Sequence, residues 1–371
     1  MIDSSESLPN GSPASPAGSP PIADAEVRDP QRRLAEPLGE GRRVLMLVNP
    51  MAGAARRRGL ADVVASELAE HGYEVEKIGE LAALHDAAME SHASGDLRCV
   101  LTVGGDGTFG AALNSTEPAT PLAVLPRGTE NLLAGYLGYG RSGDSVARLL
   151  KEGVAVRLDA GVANGRLFAL LISAGFDAEV VRRVHAARRG HITRLAYAKP
   201  IFRALARYPY PKMRVTAVPP EGGPNGAAAE PQELARGSWL FASNLPRYAS
   251  GLPITPHADG ADGLADLCVL QRGQLMAGLW YLGNIVLGRH HRLESVETMR
   301  VAECLVEAEG AAPIPYQLDG DPGGFLPVRL AVVPGRMTMV VSRTIAERLG
   351  FALPDAALPE ASGADRAAET S

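Results

Sequence analysis

The sequence predicts an α/β unit built on a parallel sheet, followed by an antiparallel β-sandwich. From residue 42 to about 155, short apolar runs alternate with helical segments, the pattern of parallel βαβ units. Beyond Val154 short strands divided by turns take over, and Asn164-Gly165 between two of them is a two-residue hairpin signal. Three apolar runs of the first unit end in loops rich in Gly, Thr or Asn, which points to a nucleotide at the strand ends.

In the first unit, strands are expected at 43–48, 74–78, 98–103 and 121–125. The helices between and after them are expected at 57–71, 82–94, 108–114, 129–137 and 145–150. In the second unit the strands read as Val154–Leu158, Arg166–Ser173, Met213–Val218, Ser238–Ser243, Ala265–Leu270, Ser295–Glu307 and Val328–Val333. Helical insertions are expected near 177–208 and 272–287, and the Gly- and Pro-rich segment 221–232 reads as a surface loop. A last strand and helix, Met337–Leu349, is expected to return to the first unit.

The organisation that follows has five parts. Residues 1–41 form a disordered tail, because the Pro-Ala-Ser-Pro-Ala-Gly-Ser-Pro-Pro run at 13–21 buries too little to order itself. Residues 42–155 form a Rossmann-like α/β domain and 156–335 a β-sandwich domain. Residues 336–353 are the returning strand and helix, and 354–371 a second tail.

Composition narrows the function. With 46% hydrophobic and 21% charged residues the chain suits a globular protein with a real core. A net charge of −5 gives no global attraction to nucleic acid or anionic membrane, so such binding must be local. Cys99, Cys268 and Cys304 sit far apart in apolar runs, without zinc-type spacing, and read as buried thiols in a reducing compartment. The start, Met1-Ile2-Asp3-Ser4, lacks the basic and apolar regions of a signal peptide, and no apolar run approaches the ~18 residues of a membrane span. The expected location is the cytoplasm.

The central motif is Gly104-Gly105-Asp106-Gly107-Thr108, which follows Val100-Leu101-Thr102-Val103. Glycines let backbone amides approach an anion closely, and the helix expected from Thr108 adds its positive end. Upstream, Leu45-Met46-Leu47-Val48 runs into Asn49-Pro50-Met51-Ala52-Gly53. Downstream, Leu122-Ala123-Val124-Leu125 runs into Pro126-Arg127-Gly128-Thr129-Glu130-Asn131.

Together, these three loops resemble the diacylglycerol kinase catalytic domain family, which also includes sphingosine and ceramide kinases and soluble bacterial lipid kinases. The resemblance spans roughly residues 42–345. GGDGT alone is shared with NAD kinases; the Pro126…Gly128-Thr129…Asn131 element points to lipid kinases. Carried onto this sequence, the resemblance implies that Asn49, Gly53, Gly104, Gly105, Asp106, Gly107, Thr108, Gly128, Thr129 and Asn131 bind ATP. Asp106 would hold Mg²⁺ or a magnesium-bound water. Relatives often follow GGDGT with a hydrophobic residue and then Asn-Glu, where this chain has Phe109-Gly110-Ala111.

Two Asp/Gly segments extend the reading. Ile254-Thr255-Pro256-His257-Ala258-Asp259-Gly260-Ala261-Asp262-Gly263-Leu264-Ala265-Asp266 reads by itself as a turn leading into a strand. The resemblance implies a structural Mg²⁺ there, held by the Asp262 carboxylate and the carbonyls of Asp259 and Leu264. Asp319-Gly320-Asp321 can be a plain hairpin turn. Many relatives carry Asp-Gly-Glu at this point with the Glu as general base, which makes Asp321 the candidate base and Asp319 its positioning partner. Aspartate is one methylene shorter, about 1.5 Å of reach.

The stretch 181–210 holds eight Lys or Arg residues, no Asp or Glu, and interleaved Ile192, Leu195, Tyr197, Ile201, Phe202, Leu205 and Tyr208. It reads either as a solvated basic face or as a surface that docks on anionic lipid at the inner face of the membrane. No nucleic-acid motif accompanies it. The resulting expectation is transfer of the ATP γ-phosphate to a lipid hydroxyl, with diacylglycerol giving phosphatidic acid. NAD kinase, or a catalytically weak nucleotide- or lipid-binding protein, is the alternative, and a homodimer is admitted.

Overall fold

The structure, a computed structural model, describes residues 33–48, 54–187, 208–218, 232–246 and 248–354. Asn49, Gly53, residues 188–207 of the basic stretch and the loop residues 219–231 lie outside them.

The first unit contributes β2 (Arg43–Val48), β3 (Glu74–Ile78), β4 (Leu97–Gly104) and β5 (Pro121–Pro126) in the parallel order β5-β4-β2-β3. Helices α1 (Ala54–Glu70), α2 (Leu81–Ala93), α3 (Asp106–Leu113), α4 (Leu132–Tyr136) and α5 (Gly143–Glu152) connect and cover them. A parallel sheet covered on both faces needs strands that are apolar throughout rather than alternating. Accordingly, Val44 and Met46 enter one core cluster with Leu68, Leu101 and Leu150. Their neighbours Leu45 and Leu47 enter the opposite one with Phe109, Leu122 and Leu133. The N-terminus of α5 is closed by reciprocal bonds between Ser142 and Ser145, a capping box.

The second unit comprises β6 (Val154–Ala163), β7 (Arg166–Phe168), β8 (Leu171–Gly175), α6 (Phe176–Ala187), β9 (Met213–Ala217), β10 (Glu233–Gly237), β11 (Trp239–Ser243) and β12 (Ala265–Leu270). It continues with α7 (Leu275–Val286), β13 (Val296–Val301), β14 (Glu303–Ala308), β15 (Pro315–Leu318), β16 (Asp321–Phe325), β17 (Val328–Val341) and α8 (Arg343–Arg348). One sheet runs β13-β12-β11-β8-β15-β16. The other runs β10-β9-β14-β17 and continues into the parallel strands through β17, whose Thr338 and Met339 pair in parallel with Pro121 and Leu122. β6 lies antiparallel along β17 for most of that strand's length, with a register shift between Val333 and Met337. The sandwich core forms where Ile172, Leu240, Leu267 and Val269 of one sheet meet Met213, Val215, Val306 and Leu330 of the other.

Several expectations need correction. Residues 33–41, assigned to a disordered tail, are built into the fold. A short strand β1 (Glu36–Pro37) pairs with β6, Leu34 bridges to Ala352, and Arg33 pairs with Asp259 at 2.8 Å. The single strand expected over 295–307 is two strands in different sheets, and the chain changes sheet at Ala302. The strand expected over 166–173 is interrupted at Ala169 and Leu170, whose amides turn to Asp319. The helix expected from 129 begins only at Leu132, because Asn131 adopts φ +53°. Strands β10, β15 and β16 were not expected at all.

Candidate active site

The site grows from two glycine turns pressed backbone against backbone at the ends of β4 and β5. A methyl group on Gly105 would lie 2.9 Å from Gly128 Cα, and one on Gly128 would lie 2.5 Å from Gly105 Cα. Neither position therefore has room for a side chain. Gly104 is equally confined, since a methyl there would fall 2.2 Å from Thr108 Oγ1. The Arg127 amide donates to the Gly104 carbonyl at 2.7 Å and locks the second turn onto the first.

Asn131 shapes its own turn. Its Oδ1 accepts from the Gly128 amide at 2.6 Å, and its Nδ2 donates to the Gly128 carbonyl at 2.9 Å. The side chain is thus consumed locally, and Thr129 is left exposed.

Asp106 stands at the start of α3 and reaches across to α4. Its two carboxylate oxygens accept from the Leu132 and Leu133 amides at 3.0 and 3.1 Å. Burial raises its pKa above the usual carboxylate value, and those amides pull it back. Asp106 therefore ties the GGDGT turn to the Pro126–Asn131 loop while its neighbour Gly107 stays exposed at the first turn of α3. First-turn amides have no intrahelical partner and sit at the positive end of the helix dipole.

The second unit closes the site with the β15–β16 turn. A methyl on Gly107 would lie 3.4 Å from Asp321 Oδ2, so this carboxylate faces the phosphate-type turn directly. Arg166 of β7 holds it, donating from Nη2 to Asp321 Oδ2 at 3.3 Å and from Nη1 to the Pro322 carbonyl at 3.2 Å. Asp319 has a different task. Its carboxylate accepts from the Ala169, Leu170 and Leu171 amides at 2.7–3.0 Å, and its own backbone takes φ +50°. Burial pushes its pKa up to about 6 against those three amides, with the nearby Asp106 charge adding to the rise.

A buried polar chain supports this turn from behind. Tyr248 and Ser173 donate their hydroxyls to Asp177, Gln317 Nε2 donates to Ser173 Oγ at 2.8 Å, and Gln317 Oε1 accepts from the Gly320 amide at 2.6 Å. Fully satisfied networks of this kind hold a turn rigidly.

Residues 43–163 match the family model "Diacylglycerol kinase catalytic domain", and residues 170–341 match "YegS C-terminal NAD kinase beta sandwich-like domain". The chain thus carries a segment similar to the diacylglycerol kinase catalytic domain followed by one similar to the YegS-type β-sandwich domain. A protein of Mycobacterium tuberculosis named "Diacylglycerol kinase" is 28% identical over 312 residues, covering 81% of this chain and 96% of that protein. A "Probable lipid kinase YegS-like" of Pseudomonas aeruginosa is 28% identical over 239 residues, 63% of this chain and 73% of its own length. A solved diacylglycerol kinase structure from Bacillus anthracis shares the fold with a TM-score of 0.56 at 17% identity, covering 82% of this chain and 99% of that one.

In the segment that matches the β-sandwich model, the Asp259–Leu264 loop lies against Asp159 of β6. Asp159 accepts from the Gly263 and Gly335 amides, both at 2.7 Å, and burial raises its pKa. Asp262 Oδ1 accepts from the Leu264 amide at 2.9 Å, and Oδ2 meets Arg300 at 3.2 Å. The Asp259 carbonyl accepts from the Asp262 amide at 3.3 Å. Beside them Asp266 Oδ2 is buried without a partner, and burial together with the Asp262 charge pushes its pKa up to about 6. Sequence reasoning missed Asp159, Asp266 and Arg166. An acidic residue inside the apolar run Val156-Arg157-Leu158-Asp159-Ala160-Gly161-Val162 was a readable signal for the first.

Of the basic stretch, Val181–Ala187 closes α6 and Tyr208–Tyr210 rejoins the described fold. Arg182 and Arg183 both pair with Glu179, so these two charges are partly spent within the helix. No helix among the described residues is long and apolar enough to cross a membrane.

Proposed function

We propose that this protein is an ATP-dependent lipid kinase that transfers the γ-phosphate to a lipid hydroxyl, with diacylglycerol as acceptor and phosphatidic acid as product. The observation that carries the reading is Asp321 facing Gly107. A carboxylate positioned beside a phosphate-cradling turn can take the proton that an alcohol loses as the phosphoryl group arrives. Catalysis of this transfer is mostly positioning and charge neutralisation. Gly104, Gly105, Gly107 and Thr108 would line the phosphates, and Gly128 and Thr129 the other wall. Asp106 would hold the two walls together, each of its oxygens keeping a second lone pair for a magnesium-held water.

Mg²⁺ fits the Asp259–Leu264 loop on the strength of the unpartnered Asp266 oxygen and the crowding of carboxylates around it. Among the described residues no cluster of three or more ligating side chains is present. The donors proposed, as the family resemblance implies, are one carboxylate, of Asp262, and the carbonyls of Asp259 and Leu264, completed by water. Binding would require Arg300 to give up Asp262. The cation would supply charge neutralisation, and the enzyme would work at the inner face of the membrane.

The test is transfer of labelled phosphate from Mg-ATP to micellar diacylglycerol, sphingosine, ceramide and monoacylglycerol, with NAD in parallel, for the wild type and Asp321→Asn. Label in one lipid, lost in the variant, is the expected result. Label in NAD alone would reassign the protein to NAD phosphorylation. ATP binding without turnover on any acceptor would make it a binding protein.

A further inference from the structure

The largest anomaly of the described surface is α7. From Leu275 to Val286 it contains no charged residue. Tyr281 and Ile285 face inward and pack with Phe241, Leu270 and Val296 on the outer face of the β8-β11-β12 sheet. Tyr281 is anchored there, its hydroxyl meeting Ser295 Oγ at 2.9 Å and accepting from the Arg272 amide at 3.1 Å. The opposite side has no such partner among the described residues. Met276, Leu279, Trp280, Leu282, Val286 and Leu287 are 44–72% exposed. Five of these six, all but Leu282, follow helical i, i+3, i+4 spacing and form one stripe directed away from the protein.

A contiguous apolar patch on a folded surface marks an interaction site. What surrounds the stripe selects the partner. Arg272 precedes the helix, Arg289, His291 and Arg292 follow it, and all four are exposed. None of the three arginines takes part in an ion pair among the described residues. From Gln271 to Leu293 the sequence has no Asp or Glu. A two-fold dimer through this face would use the same patch twice, bringing arginine-rimmed surfaces together without intervening acids. An anionic bilayer instead offers apolar depth to the stripe and negative headgroups to its rim, with Trp280 suited to the interface.

We infer that α7 docks the protein on an anionic phospholipid bilayer, its outward stripe entering the interface and Arg272, Arg289 and Arg292 contacting headgroups. The inference rests on the lipid-kinase reading for its biological sense but not for its physics. It also differs in place from the basic stretch 181–210. Helix α6, which carries residues 181–187 of that stretch, nonetheless begins close to α7. Phe176 at the start of α6 packs on Trp239 with ring centroids 4.9 Å apart, and a methyl on Gly278 of α7 would lie 2.8 Å from the same indole. The two helices therefore cover one face of the sheet.

The full chain is sedimented with extruded phosphatidylcholine vesicles, with and without phosphatidylglycerol, and tryptophan quenching by mid-chain brominated lipid is read in parallel. Wild type is expected to partition onto phosphatidylglycerol vesicles with quenching. The exposed double variant Leu279→Ser/Trp280→Ser should partition at least about tenfold more weakly. Arg289→Glu/Arg292→Glu should lose the preference for phosphatidylglycerol. Unfolding midpoints equal to wild type would show that neither variant has lost the fold. Wild-type partitioning by the serine variant overturns the inference. So does a wild-type dimer in vesicle-free ultracentrifugation that the serine variant dissociates, which would give the face to a second copy. Turnover on micellar diacylglycerol separates the two readings. Micellar turnover kept by the serine variant while vesicle binding falls supports docking by α7. Vesicle binding by a wild type with no turnover on any lipid would retire the kinase reading and leave the docking face standing.

Discussion

The contact between the two glycine turns makes a severe demand on one atom. In Gly128→Ala the new methyl would sit 2.5 Å from Gly105 Cα, 3.2 Å from Gly105 N and 2.9 Å from Asn131 Oδ1. Ordinary carbon contacts lie near 3.5–4.0 Å, so the turns would have to part by about 1 Å. Overpacking of this kind costs about 1–3 kcal/mol. Parting the turns would also strain the 2.7 Å bond from the Arg127 amide to Gly104, while the methyl itself would crowd the 2.6 Å bond from the Gly128 amide to Asn131. A displacement of about 1 Å at a reacting centre lowers turnover on the order of 100-fold. Urea unfolding gives the stability loss, and labelled-phosphate transfer at saturating ATP gives the turnover. A variant within about 0.5 kcal/mol and about twofold of wild type would refute the idea that these turns form one rigid wall.

Gly110 offers the converse case: nothing lies within 4 Å of a methyl there, so Gly110→Ala should raise stability by about 0.5–1 kcal/mol in the same urea titration. Asp321→Asn should lower kcat by on the order of 10²–10⁴-fold with little change in unfolding midpoint, while Asp321→Glu should stay within about tenfold of wild type. Asp266, with its pKa pushed up to about 6, binds its proton more tightly when folded. Its stabilising effect is present below the unfolded value near 4 and is lost as pH climbs through about 6. In metal-free buffer Asp266→Asn should therefore gain on wild type between about pH 4.5 and about pH 7.5, and added Mg²⁺ should narrow that gain. Denaturation midpoints at the two pH values, with and without Mg²⁺, provide the check.

Local pattern made the parallel strands legible. β2 begins and ends where its apolar run does, because a strand buried on both faces needs continuous hydrophobic sequence. The failures share a cause, which is contact at long sequence separation. The break between β7 and β8 is set by Asp319, some 150 residues away, accepting three amides. The change of sheet at Ala302 depends on β17, whose Val332 amide donates to the Ala302 carbonyl. Residues 33–41 looked like an extension of the Pro-rich tail, yet Arg33 and Ala35 are fixed by Asp259 and Ala352. At the site, the glycine turns were readable as chemistry. The division of labour was not. That Asp106 and Asp319 spend their oxygens on backbone amides while Asp321 faces Gly107 is a property of the assembled sheets.

The junction of β17 with β5 bears on how the chain is made. Synthesis proceeds from the N-terminus, and domains generally fold as units as they emerge. Here the parallel sheet is completed by Thr338 and Met339 beside Pro121 and Leu122, more than two hundred residues later. Until then a nascent chain carries β5 with an open edge, the kind of edge that invites mispairing. The nucleotide half thus matures last although it is translated first, and truncations short of Val341 would leave both halves incomplete.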